Sequence, residues 1–241
     1  MANPFYEPGT QRAAKVNDLF SGIAARYDLI NDLQSLGLHR FWKRRLARLA
    51  RVGPGDHALD VCCGTGDVTL ALARTGATVT GLDFSEPMLA VARRRAAAAP
   101  DGTRVEFRQG DAMCLPFPDR SFDAVTISYG LRNLADVAGG LREMWRVARP
   151  GGRLLVLDFG KPDNAFWRRG YFAYLRRGVP IFGRLFAGSA DAYAYILESL
   201  EHYPGQRGVA ELMQALPTRG VRIHNLLGGA MGINAAERAD A

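Results

Sequence analysis

Leu59-Asp60-Val61-Cys62-Cys63-Gly64-Thr65-Gly66-Asp67 reads as an apolar strand that runs into a glycine-rich turn and then into a helix beginning near Asp67. Two glycines let a backbone approach a ligand closely, and the N–H groups at the helix start face it. A dinucleotide site would want a third Gly or Ala three residues after Gly66, where Thr69 stands, so the pyrophosphate-cradling GxGxxG arrangement is missing. This weakens a nicotinamide-dependent oxidoreductase.

On either side of the turn a rhythm of strands and helices sets in. HALDVC (57–62), ATVTGLD (77–83), RVEFRQG (104–110), FDAVTISYG (122–130) and RLLVLDF (153–159) have strand character, with helical spacing at 67–75, 85–99 and 136–149 between them. Alternation of this kind predicts a doubly wound α/β fold with a parallel sheet. Two helical patterns, 15–27 and 38–51, precede the first strand, and the alanine run before Pro100 ends as a helix C-terminus would. After residue 160 the rhythm breaks. We expect a single domain, 1–241, made of a helical N-terminal cover (1–52), a core (56–160), a helical insertion over the substrate side (160–205), and a C-terminal helix (206–216) with a β-like close to 241. In an open α/β sheet the ligand crevice lies outside the carboxyl ends of the strands, so the loops after Asp60, Leu82, Gln109 and Ile127 are expected to form the site.

Asp83 ends the second strand, seventeen residues beyond Gly66, where a carboxylate can accept both hydroxyls of a ribose. The plain alternative is that it caps the helix that starts at Ser85-Glu86-Pro87, a task Ser85 could perform equally well. The third strand ends in Gln109-Gly110-Asp111-Ala112 and brings another acid to the crevice, suited to the amino group of an adenine. Three strand ends thus converge on one nucleoside.

Composition removes other classes. The 241 residues are 48% hydrophobic and 23% charged, which sets aside disordered and fibrous proteins. No apolar run reaches the roughly 18–20 residues of a membrane span, and the polar start MANPFYEPGTQR lacks the apolar core of a secretion signal, so a soluble, cytoplasmic protein is expected. Cys62, Cys63 and Cys114 form an odd set without a second CxxC, and they read as reduced thiols rather than a disulfide framework or a zinc site. The net charge of +7 favours an anionic partner or surface.

The glycine turn, the acid at the second strand end and the acid at the third together resemble the class I S-adenosyl-L-methionine-dependent methyltransferases. Two longer stretches, Tyr27 to Trp42 and Arg146 to Phe159, are similar to the two signatures of the menaquinone/ubiquinone C-methyltransferase family. Leu115-Pro116-Phe117-Pro118-Asp119, Ser121-Phe122-Asp123 and Ile127-Ser128-Tyr129-Gly130-Leu131-Arg132-Asn133 fit between them, so the likeness runs to about residue 205. The chain departs from the family pattern at Ile30 and Gln34, and in a C-terminus that lacks the family's terminal His. The Cys62-Cys63 pair leans toward the demethylmenaquinone-acting branch.

The resemblance implies a Rossmann-like, seven-stranded, mostly parallel sheet with helices on both faces, and S-adenosyl-L-methionine as cofactor. It implies cofactor contacts at Thr65, Asp83, Asp111, Ala112 and Ser128, with Ala112 acting through its backbone; Gly64 and Gly66 form the turn itself, and Tyr27 either lines the cofactor pocket or packs in the core. The implied reaction is methylation of a ring carbon of a polyprenylated quinol, demethylmenaquinol first and a methoxy-polyprenyl-benzoquinol as alternative. A homodimer is compatible with this reading. Transfer to a ring carbon needs in-line placement and an electron-rich carbon, and a developing phenolate needs a cation or donors. Arg132, just after the fourth strand, stands where such a cation would face the acceptor, with Asn133 beside it as a neutral donor. A surface ion pair is the plain alternative for Arg132. His39, His202 and Asp158 are the candidate bases, although water under Arg132 would need none of them.

Nucleic-acid chemistry fits poorly, so no nucleic-acid partner is expected. Cys114 precedes Leu115-Pro116, whereas RNA cytosine methyltransferases place their cysteine after proline, and the Asn/Asp-Pro-Pro-aromatic turn of amino-group methylases is absent from Ser128-Tyr129-Gly130-Leu131. A non-catalytic cofactor-binding scaffold would not need Arg132. Finally, Phe166 to Arg177 wound as a helix would gather Trp167, Tyr171, Tyr174 and Leu175 on one side and Arg168, Arg169, Arg176 and Arg177 on the other. This predicts peripheral contact with an anionic membrane, at the inner face of the plasma membrane, unless those aromatics pack on the core.

Overall fold

The computed structural model describes residues 32, 35, 37–99, 103–178 and 199–239. The expected helix at 15–27, Tyr27, most of the first signature, the helix end at Pro100 and the insertion from 179 to 198 lie outside them.

Among the described residues a seven-stranded sheet runs in the order β3-β2-β1-β4-β5-β7-β6. Its strands are β1 (His57–Val61), β2 (Thr78–Asp83), β3 (Val105–Gln109), β4 (Phe122–Ser128), β5 (Ala148–Phe159), β6 (Thr218–Leu226) and β7 (Met231–Arg238). The first five run parallel, and β7 runs antiparallel to both β5 and β6. Central strands are buried along both faces, as strands covered by helices on each side must be: Ala58 to Val61 and Ala124 to Ile127 are buried throughout, mainly apolar with Asp60 and Thr126 among them. The β-like close expected near 221–233 is a hairpin of β6 and β7 around a short turn, Leu227–Gly229.

Helices α1 (Leu38–Ala50), α2 (Asp67–Ala73), α3 (Glu86–Ala97), α4 (Val137–Val147), α5 (Ala165–Ala173) and α6 (Gly205–Gln214) cover the two faces. α1 illustrates the sequence logic. His39, Trp42, Lys43, Leu46, Ala47 and Ala50 recur at spacings of three and four and are buried, while Arg40, Arg44 and Arg48 point outward. Two cores result. Leu131, Leu141, Met144, Tyr171, Leu200, Tyr203 and Val209 fill one face of the sheet, and Trp42, Leu46, Val68, Leu72 and Ile233 the other.

Strand order reverses between β1 and β4, whose neighbours lie on opposite sides, so this pair of carboxyl ends is the topological switch point. The backbone is unusual there. Cys62 and Tyr129, directly after β1 and β4, both take left-handed φ values, 53° and 60°. Bulky residues rarely do so, and such strain gathers at functional sites. Gly130 closes the arrangement, because a Cβ at that position would sit 2.5 Å from the Cβ of Cys62.

Candidate active site

The glycine turn leaves β1 at Cys62 and enters α2 through Gly66, which adopts φ 83°. Gly64, at φ 55°, would project a side chain into open space, so the turn presents bare backbone to the crevice. Asp83 at the end of β2 fixes this turn: its Oδ2 accepts from the Gly64 N–H at 2.8 Å and its Oδ1 from the Ser85 N–H at 2.9 Å. Burial raises its pKa, and bonds from the backbone N–H groups of Ser85, Gly64 and Phe84 oppose that rise. The capping reading of Asp83 is therefore part of its job, and the Ser85 side chain makes no cap bond. Asp111, exposed, accepts from the Met113 N–H at 2.8 Å in the turn after β3, beside buried Ala112. Ser128, the last residue of β4, has a buried Oγ with no hydrogen-bond partner among the described residues. A buried hydroxyl left unpaired is a disfavoured state that a ligand atom would relieve.

Side chains that the sequence reading passed over brace the turn from outside. Lys43 of α1 reaches Asp67 with Nζ–Oδ2 2.8 Å and lies 5.8 Å from the centre of the Tyr129 ring. Arg95 of α3 pairs with the other oxygen of Asp67 and donates to both the carbonyl and the hydroxyl of Thr65 at 3.0 Å. Asp67 stays far below the ordinary carboxylate range, the charges of Lys43 and Arg95 overcoming the effect of its burial. The one available signal was Lys43 itself, a charge on the apolar stripe of α1. Phe84, directly after Asp83, is an exposed aromatic next to a strand-ending acid.

At the end of β4 the chain turns through Leu131–Asn133, and Arg132 folds inward rather than outward. Its guanidinium donates to Asp158 Oδ1 and to the Tyr129 carbonyl, both at 2.7 Å, and lies 4.8 Å from the Phe159 ring centre. The Arg132 and Asp158 side chains are 5% and 2% exposed. The surface ion pair considered for Arg132 is thus replaced by a buried one, and its charge arrives already balanced. Asp158, a candidate base, also accepts from the Phe159 N–H at 2.9 Å. Asn133 donates to the Tyr129 carbonyl at 3.4 Å, so two residues hold the strained Tyr129. Of the other candidate bases, His39 is buried with Nε2 2.8 Å from Asp32, and His202 is exposed.

Residues 9–238 match the ubiE/COQ5 methyltransferase family. A demethylmenaquinone methyltransferase of Mycobacterium sp. (strain KMS) is 44% identical over 222 residues, 92% of this chain and 93% of its own. One of Desulfitobacterium hafniense is 42% identical over 228 residues, covering 93% and 90%. The chain belongs to this family. A ubiquinone/menaquinone biosynthesis C-methyltransferase of Azotobacter vinelandii is also 42% identical, over 94% of this chain and 91% of its own. Among solved structures, the [4+2]-cyclase SpnF has a TM-score of 0.64 at 18% identity, covering 95% and 97%, and a SAM-dependent methyltransferase of Thermotoga maritima 0.65 at 16%, covering 92% and 98%. At that identity these two speak for the Rossmann-like methyltransferase fold alone.

For a ubiE/COQ5 methyltransferase, the first acid of the glycine-turn motif is instructive. Asp60 is buried and accepts from the hydroxyls of Thr69, at 2.7 Å, and Thr126, at 2.8 Å. The Thr69 that breaks a dinucleotide fingerprint thus ties α2 to β1 through Asp60, whose other oxygen Thr126 ties to β4. Burial pushes the Asp60 carboxyl up to about 6, against the two hydroxyl bonds and the charge of Lys43. The folded state therefore holds this proton more tightly than the unfolded chain, and its contribution to stability is lost as pH rises from about 4 through about 6. Asp60→Asn is expected to gain on the wild type by on the order of 2–3 kcal/mol between about pH 4 and pH 7.5, read from urea midpoints. A pH-independent difference would mean that Asp60 is ionised at no such penalty.

Proposed function

We propose that this methyltransferase moves a methyl group from S-adenosyl-L-methionine to a ring carbon of a polyprenylated quinol, demethylmenaquinol in the first place. The observation that carries the donor half is the unpartnered Ser128 Oγ beside a glycine turn that faces open space. Asp83 and Asp111 at the neighbouring strand ends supply acceptors for ribose hydroxyls and an adenine amino group, and the Ala112 backbone lies at the base edge. Thr65, Gly64, Gly66 and Ser128 line the end that takes the amino-acid part, and Phe84 offers an apolar surface to the base. Tyr27 is proposed to complete this pocket. When bound, the sulfonium supplies a methyl group that is already activated.

The chain's own task is then to orient the quinol and raise electron density at its ring carbon. A quinol oxygen losing its proton needs donors more than a base of high strength. Arg132 and Asn133 are the residues proposed for it. Because Asp158 balances the charge of Arg132, the guanidinium acts as an oriented donor and not as an uncompensated cation, and water carries the proton away.

The names of the relatives support the acceptor class, and the Azotobacter relative supports a benzoquinol of ubiquinone synthesis as the second reading. Purified protein incubated with methyl-labelled cofactor and each quinol in turn, with products resolved by mass, tests both. Label is expected on the naphthoquinol ring carbon. Transfer to neither quinol would overturn the acceptor assignment, and transfer to the benzoquinol alone would exchange its two members.

A further inference from the structure

The start of α5 and the tip of the β6–β7 hairpin form one exposed apolar patch. Phe166 is 88% exposed, Trp167 40%, Leu227 53% and Tyr174 42%. Trp167 Nε1 donates to the Leu227 carbonyl at 3.0 Å, and Gly228 lies so close beneath that a Cβ there would sit 2.9 Å from this nitrogen. The patch is held in place. Asn164 caps α5 through the Trp167 N–H at 2.9 Å, while Tyr171 and Leu175 further along the segment are buried in the core.

This corrects the expected sorting of the segment. The α-helix ends at Ala173 and a π-helical turn, Tyr174–Gly178, follows, and along the stripe Trp167, Tyr171, Tyr174, Leu175 the side chains differ in depth rather than sharing one environment. Tyr171 and Leu175 pack on the core, and Trp167 and Tyr174 face outward with Phe166. Arg168, Arg169, Arg176 and Arg177 are all exposed, and no acidic residue occurs between 164 and 178. The position in the fold matters equally. Leu226 of β6 and Phe159 of β5 both pair with Met231, so the hairpin tip lies at the end of the sheet where the parallel strands finish and the crevice opens.

We infer that this patch docks on the surface of an anionic bilayer, with Phe166, Trp167 and Leu227 at headgroup level and the four arginines over the lipid phosphates. Aromatic and large aliphatic side chains favour that depth, and basic side chains add attraction that salt screens. Charge complementarity selects a lipid surface over a second copy of this chain, which carries a net +7 itself. The inference extends the reading of a polyprenylated acceptor, since such a substrate would enter the crevice from the side that touches the membrane.

Co-sedimentation of the full chain with vesicles, without cofactor or quinol, tests it. Phosphatidylglycerol-containing vesicles are expected to retain the protein, pure phosphatidylcholine vesicles are not, and added salt should release it. Changing Arg168, Arg169, Arg176 and Arg177 to Gln together should weaken partitioning by on the order of a thousandfold. Phe166→Ser with Leu227→Asn should weaken it at least tenfold, Asn being chosen because Leu227 has φ 47°. Both variants should keep the wild-type melting temperature and turnover of a short-chain, water-soluble quinol. Equal retention on neutral vesicles, insensitivity to salt, or a dimer dissolved by the Phe166/Leu227 variant without any lipid binding would overturn the membrane assignment. Anionic vesicle binding without turnover of any quinol would instead count against the acceptor reading alone.

Discussion

Arg132→Leu is expected to lower the stability of the fold by about 3–5 kcal/mol, because it leaves the Asp158 carboxylate buried opposite an apolar side chain. Asp158 is 2% exposed and takes the Arg132 guanidinium at 2.7 Å, so no water can replace the lost partner without opening the core around Tyr171 and Tyr203. Urea unfolding reads the loss directly. The variant would also release the Tyr129 carbonyl, which Arg132 holds at 2.7 Å with the tyrosine at a left-handed φ. Inactivity of this single variant therefore says little about chemistry. Replacing both partners, Arg132→Met with Asp158→Leu, removes the two buried charges together and is expected to restore most of the stability. In that double variant cofactor affinity should stay within a few-fold of wild type while turnover falls by well over tenfold. Equal losses in affinity and turnover would assign the pair to the fold, and unchanged turnover would remove Arg132 from the acceptor side.

The pair also marks where sequence stops being legible. Strand and helix positions could be read because each rests on local periodicity, and the described elements from α1 to α4 end within a few residues of the expected bounds. The glycine turn and the acids after β2 and β3 were legible for the same reason: a motif of nine residues and two strand ends carry them. Arg132, in the turn after β4, and Asp158, near the end of β5, are twenty-six residues apart, and only the β4–β5 register, Ser128 beside Leu157, brings them together. Nothing local distinguishes a buried paired arginine from one that faces a substrate. Lys43 with Asp67 and Trp167 with Leu227 are pairs of the same sort, twenty-four and sixty residues apart. At the α5 stripe the helical wheel fell short because a shared face does not fix depth: Trp167 and Tyr171 lie one turn apart, yet the first rests half exposed against the hairpin tip and the second is buried in the core.

Asp83→Ala is expected to weaken S-adenosyl-L-methionine binding at least tenfold by calorimetry. A charged acceptor to ligand hydroxyls contributes about 1.5–3 kcal/mol, and here the same carboxylate also holds the turn that the cofactor would lie on. The two contributions separate by measurement. Loss of the Ser85 N–H bond acts like loss of a helix cap and should lower stability by about 1 kcal/mol. Loss of the Gly64 N–H bond lets the turn relax, which a ligand must then reorder on binding. Asp83→Asn keeps one acceptor oxygen and the volume, so it should recover much of the stability and less of the affinity, the charge being gone. Because burial raises the Asp83 pKa, affinity of the wild type should also begin to fall, as pH is lowered, above the range of an ordinary aspartate, and Asp83→Asn should lack that dependence. A stability loss with an unchanged dissociation constant would leave Asp83 as an anchor of the turn, and the ribose would have to be held from elsewhere in the crevice.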